Sequence, residues 1–81
     1  MAILRGGAAT ASVSQGADTV TISGAFDLNS VLAGMTIYFG DSDKVTGDGY
    51  IIESVTPSGV SGGTLVMRAN AATAQSSAAF C

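Results

Sequence analysis

The chain alternates with a period of two. Ala11–Ser14 and Thr19–Ser23 set apolar residues against hydroxyl side chains position by position, as strands do when one face is buried and the other is wet. Between them, Gln15-Gly16-Ala17-Asp18 has the length of a hairpin connection and a glycine for a positive φ. The stretch Phe26–Gly34 breaks the alternation. Asp27 is placed to cap a single turn, Val31 and Leu32 are expected to face inward, and Gly34 can close the turn in a left-handed conformation. So short a segment predicts a 3₁₀ or one-turn element over residues 27–33.

Three more strands come after it. Met35–Phe39 is rich in β-branched and aromatic residues and stops at Gly40; a polar loop from Asp41 to Asp48 then leads into Gly49–Val55. Pro57–Gly63 is turn chemistry throughout and delivers a strand at Thr64–Arg68. The tail Ala69–Cys81 has no period, and its Thr and Ser residues and missing charged face argue against a helix; a loop and a short strand ending at Phe80 are expected. The sum is an all-β chain: one small barrel or sandwich of about six short antiparallel strands, over residues 9–81, preceded by an N-terminal arm at residues 1–8.

Composition qualifies that picture. Hydrophobic residues make up 47% of the chain, but Gly, Ala, Ser and Thr account for 42 of its 81 residues and much of the apolar fraction is alanine, which buries little area. The larger rings number five: Phe26, Tyr38, Phe39, Tyr50 and Phe80. A core this thin is expected to borrow stability from neighbours. His is absent and the chain is too short to wall off a deep pocket, which argues against an enzyme.

Charge narrows the partners. Arg5, Lys44 and Arg68 face six acidic residues, for a net charge of −3, and no basic stripe is present to neutralise nucleic-acid phosphates or an anionic membrane. Neither nucleic acid nor membrane is expected as a partner. Cys81 is the single cysteine and cannot form an internal disulfide; it reads as a small apolar residue near a strand end. The apolar run at Ala2–Leu4 is too short for a secretory signal, and no stretch approaches a membrane helix, so synthesis and folding in the cytoplasm are expected.

Candidate chemistry is weak. Gly59-Val60-Ser61-Gly62-Gly63 fits the spacing of a nucleophile elbow, but that elbow needs a strand-to-helix turn and a histidine base; a hairpin loop is the expectation. Asp41, Asp43 and Asp48 form an acidic loop, yet Val45 and Thr46 fall where a calcium loop needs an oxygen ligand and a glycine, and Ile52 replaces the closing Glu. A solvated turn is expected there. No cofactor or metal is called for, and the glycines at 59, 62 and 63 lead into neither a helix nor a lysine, as a phosphate cradle would.

Ser12, Ser14, Thr19, Thr21 and Ser23 line one polar face. Such a face is either plain solvated sheet or a flat, low-entropy surface that packs on another subunit, since short hydroxyl side chains cost little to order. Ala11–Ser14 or the C-terminal segment, as an edge strand, would add main-chain pairing with a neighbour.

The run Ala9-Thr10-Ala11-Ser12-Val13-Ser14-Gln15-Gly16-Ala17-Asp18-Thr19-Val20-Thr21-Ile22-Ser23-Gly24 resembles the G-T-V-S-V-x-x-G-S-x-T-V-T-G opening of bacteriophage tail-fibre and related tail modules. Counterparts of that family's later segments come in order: Ala33–Ile37, Tyr50–Val55, Leu65–Met67 and Ala74–Phe80. The resemblance covers residues 7 to 81, with Phe26 where the family often has Trp and Gly34-Met35 in place of its Gly-Asp turn. It implies a virion structural role without catalysis or cofactor: a subunit that associates with copies of itself and with other virion proteins, most directly at the tail or a tail-fibre attachment point. The expected interface is the N-terminal arm, Ile3, Leu4 and Arg5, together with the Ala/Ser/Thr tail and Phe80. The alternatives are a capsid decoration or cement protein, and a carbohydrate-binding receptor module, which would require exposed aromatics where Tyr38, Phe39 and Tyr50 are expected to be buried.

Overall fold

The structure is a computed structural model and describes residues 6–45, 47 and 49–81. Its elements are β1 (Thr10–Val13), β2 (Thr19–Ser23), a 3₁₀ turn (Leu28–Ser30), β3 (Thr36–Ile37), β4 (Tyr50–Pro57), β5 (Gly62–Met67) and β6 (Gln75–Ala78). The six strands form one curled antiparallel sheet, a half-barrel, in the order β3-β4-β5-β2-β1-β6. The all-β expectation, with about six strands and one 3₁₀ turn, is met.

Alternation in sequence becomes alternation in burial. β2 runs exposed-buried-exposed-buried-exposed, with Val20 and Ile22 inside. Its partner β1 places Ala11 opposite Ile22 and Ser12 opposite Thr21, so apolar meets apolar on the inner face and hydroxyl meets hydroxyl outside. On the other side Val20 stands opposite Leu65 of β5. Gly16 takes φ +80 in the β1–β2 turn, as the hairpin reading requires.

The interior is filled by Val13, Val20, Ile22, Leu28, Val31, Ile37, Ile52, Leu65, Met67 and Phe80, with Ala9, Ala11 and Ala71 where chains pass closest. Small residues are needed at such contacts. Gly62, at φ +83, lies against the Ile22 carbonyl of β2, whose carbon a Cβ there would meet at 2.9 Å. The Phe26 and Phe80 rings meet edge to face, centroids 5.1 Å apart at 84°, a favoured geometry for two aromatic quadrupoles.

Asp27 caps the 3₁₀ turn as expected, its Oδ1 accepting the Asn29 N–H at 2.9 Å. Gly34 closes the segment at φ +94, its N–H donating to the Ile52 carbonyl. Leu32 departs from expectation. Val31 is buried, but Leu32 is 68% exposed, because two consecutive residues in extended backbone cannot both face one interior.

The strand expected at 35–39 is also shorter. Its ladder with β4 ends at Ile37 opposite Tyr50, after which Tyr38 turns its main chain to Cys81: the Tyr38 N–H donates to the Cys81 carbonyl at 2.7 Å and the Cys81 N–H to the Tyr38 carbonyl at 2.8 Å. The Gly40 N–H donates to the Ala79 carbonyl at 2.7 Å, and Phe39 bridges Phe80. These bonds tie the two ends of the half-barrel together. Ala11–Ser14 is therefore not an edge: β1 lies between β2 and β6, with β6 supplied by the segment that carries no period.

Candidate assembly surface

The outer face of β1 and β2 carries the predicted hydroxyls. Ser14, Thr19, Thr21 and Ser23 are exposed, and Ser12 is half-buried because its Oγ accepts the Ser77 N–H at 2.9 Å. Beside them, β6 raises one wall of a shallow groove of about 410 Å³, lined by Ser12, Ser14, Thr19, Thr21, Gln75 and Ser76 among others. Among the described residues its lining is uncharged and without rings, and it offers hydroxyls and the Gln75 amide beside the apolar Val13 and Ala74. Chemically it can hydrogen-bond and pack closely.

β6 leaves the regular ladder where it borders this groove. Its pairing with β1 shifts register between Ala11 and Val13, and Ser77 takes φ +47, a left-handed conformation that residues with a Cβ rarely adopt. The Ser12–Ser77 bond spans that irregularity.

Among the residues expected at the interface, Ile3, Leu4 and Arg5 lie outside the described residues. Phe80 is fully buried, its ring against Phe26 and its carbonyl accepting the Gly6 N–H at 3.1 Å. The core absorbs the ring that the sequence reading assigns to a neighbour. The main-chain bonds of Tyr38 and Gly40 to Ala79 and Cys81 carry the Phe80 ring inward, onto Phe26.

Exposed apolar side chains lie elsewhere. Leu32 and Val60 are each 68% exposed, with Val45 and Ile51 less so. Val60 occupies the β4–β5 turn, which Asn29 ties to the 3₁₀ turn through a 2.8 Å bond from Nδ2 to the Gly59 carbonyl. An apolar residue inside a run of Pro, Ser and Gly is the available signal for Val60, since turn positions point to solvent.

The remaining candidates resolve into structure. Residues 58–61 connect β4 to β5, with the Ser61 N–H donating to the Ser58 carbonyl inside the turn, and Gly62 and Gly63 open β5, so the run is part of a hairpin and not an elbow. In the acidic loop, Asp41 Oδ1 accepts the N–H groups of Asp43 and Lys44 at 2.7 and 3.1 Å; these bonds hold its carboxyl below its ordinary range. Asp48 lies outside the described residues, and among the described residues no group of three metal-ligating side chains is gathered. Arg68 pairs with Glu53 across β4 and β5 at 3.8 Å. Cys81 is buried, its Sγ donating to the Lys44 carbonyl at 3.1 Å.

Tyr38, Phe39 and Tyr50, expected to be buried, are half-buried. Tyr38 lies over Gly49, Phe39 and Tyr50 meet at a tilt of 53° with centroids 5.8 Å apart, and the Tyr50 hydroxyl accepts the Ala72 N–H at 3.0 Å. Among the described residues no helix is long and apolar enough to cross a membrane. No protein-family model, curated protein or solved structure matches the chain.

Proposed function

We propose that this chain is a non-enzymatic structural subunit of a bacteriophage virion, associating with copies of itself and docking on a larger virion component at the tail or a tail-fibre attachment point. The observation that carries the reading is the correspondence between the tail-module sequence pattern and the strand order. Ala9–Gly24 is the β1–β2 hairpin, Ala33–Ile37 the turn into β3, Tyr50–Val55 lies in β4, Leu65–Met67 in β5, and Ala74–Phe80 spans β6 and the residues that tie the sheet ends. Each segment of the pattern falls on an element, and each turn between them falls on a connection.

The outer face of β1 and β2 supports the same reading. An uncharged hydroxyl surface beside a shallow groove suits close packing of many copies, because it orders few rotatable bonds and strands no buried charge. Its partners are other copies of this chain and the virion protein that carries them.

Copy number tests the reading. Quantitative mass spectrometry of purified particles of the phage that encodes the chain is expected to find it in a small, fixed number of copies per tail. Hundreds of copies per capsid would replace the tail with the decoration-protein alternative, and absence from particles would refute the structural role.

A further inference from the structure

We propose that residues 75–81 form an exchangeable strap, and that two copies of this chain associate by each placing its strap in the slot of the other. The proposal deepens the self-association in the function above and rests on that part of it, not on a place in a virion.

The strap is held at its far end. Phe80 and Cys81 are fully buried, and the stretch Ala79–Cys81 makes three main-chain hydrogen bonds to Tyr38 and Gly40, with a fourth from Gly6 to Phe80. The β6 part of the strap is loosely built by comparison. None of Gln75, Ser76, Ser77 and Ala78 is buried, its ladder with β1 shifts register, and Ser77 is left-handed.

The strap also has a root and a hinge. Ala71 is pinned to the β1–β2 turn by two main-chain bonds, its carbonyl accepting from Gly16 and its N–H donating to Ala17, both at 2.8 Å. The next three residues, Ala72, Thr73 and Ala74, are all exposed, with Ala72 tied to the Tyr50 hydroxyl. A fixed root, a short exposed hinge and a tip with a well-defined seat are the parts that segment exchange between identical chains requires.

The slot names its own occupant. Release of the strap opens the outer edge of β1, the main chain of Tyr38–Gly40 and the Phe80 site against Phe26. Unpaired strand edges are templates for another strand, and the strap of a second copy is identical to the one that left, so it remakes every bond. The exchange is reciprocal and closes as a two-fold dimer.

A mixed-label experiment tests this directly. Carbon-13-labelled and unlabelled chains are unfolded together, refolded at high concentration, and the dimer is examined by isotope-filtered nuclear Overhauser spectroscopy. The expected result is contact between the Phe80 ring of one chain and the Phe26 ring of the other. In parallel, three glycines inserted between Thr73 and Ala74 lengthen the hinge so that the strap returns easily to its own chain; the dimer dissociation constant is expected to rise about tenfold or more, with the monomer spectrum retained. A dimer without the interchain Phe80–Phe26 contact, or one indifferent to the insertion, overturns the exchange while leaving self-association standing. A chain monomeric at every concentration overturns both.

Discussion

Tyr38 and Cys81 exchange both of their main-chain hydrogen bonds, at 2.7 and 2.8 Å, and so join the two ends of a six-stranded curled sheet. The pair comes directly after Ile37, where the β3–β4 ladder ends, and sits beside the Phe39–Phe80 bridge. Closure through two or three residues leaves the Phe80 ring as the plug beneath the seam. The stability of the whole domain therefore depends on one side chain near the end of the described chain.

Phe80→Ala tests that dependence. Truncating a fully buried ring costs about 3–5 kcal/mol, the transfer term plus the cavity left against Phe26. In a domain of this size such a loss approaches the total stability. Urea unfolding is expected to show a midpoint near zero denaturant or an unfolded variant; a loss below about 1 kcal/mol would mean that the seam does not rest on the ring.

Two glycines with positive φ are expected to respond differently to alanine. Gly16, at φ +80, has nothing within 4 Å of an added Cβ, so Gly16→Ala costs only backbone strain, about 1 kcal/mol. Gly62, at φ +83, adds a collision with the Ile22 carbonyl of β2, and Gly62→Ala is expected to cost well over 2 kcal/mol or to prevent folding. Thermal unfolding of the two variants side by side is the measurement. Equal losses would contradict the close approach of β5 to β2.

The 3₁₀ cap offers a smaller effect. Asp27 Oδ1 accepts both the backbone N–H and the Nδ2–H of Asn29, whose Nδ2 also reaches the Gly59 carbonyl. Asp27→Ala is expected to cost about 1 kcal/mol and to speed amide exchange in the turn beyond Gly59 as well as in the cap. Exchange altered only at the cap would show that Asn29 does not couple the two turns.

The acidic loop sets a pH dependence. Main-chain bonds from Asp43 and Lys44 favour the charged form of Asp41, so its carboxyl titrates below the ordinary 3.8 in the folded chain and nearer that value when unfolded. Its contribution is then fully present above the ordinary value and is lost as the pH falls through the lowered one. Asp41 is partly open to solvent, which keeps the contribution small. Unfolding of Asp41→Asn and the parent is expected to differ at neutral pH and to converge in acid; a gap that widens in acid would reverse the sign.

The sequence discloses local structure here. β2 falls at Thr19–Ser23 as its alternation indicates, and the Asp27 cap is legible because both partners lie within two residues. The outer hydroxyl face is legible for the same reason: period two assigns faces without knowledge of neighbours. Strand order is not. Placement of β1 inside the sheet depends on β6, whose Gln, Ser and Ala residues carry no period, and the register shift of β4 near Glu53 has no local signature. Phe80 reads as a surplus ring because its partners, Phe26 and Gly6, are distant in the chain. Hydrophobicity alone places Leu32 inside, whereas the burial of Val31 in extended backbone turns its neighbour outward.

The proposed role makes this chain a building block of a phage particle. A cryo-electron microscopy reconstruction of that particle tests it most directly. The account predicts symmetry-related densities at the tail or its fibre attachment point, each fitted by a curled sheet of 28 × 25 × 23 Å, with the hydroxyl face of β1 and β2 against a neighbouring protein. Particles whose every tail and capsid density is accounted for by other chains would contradict it.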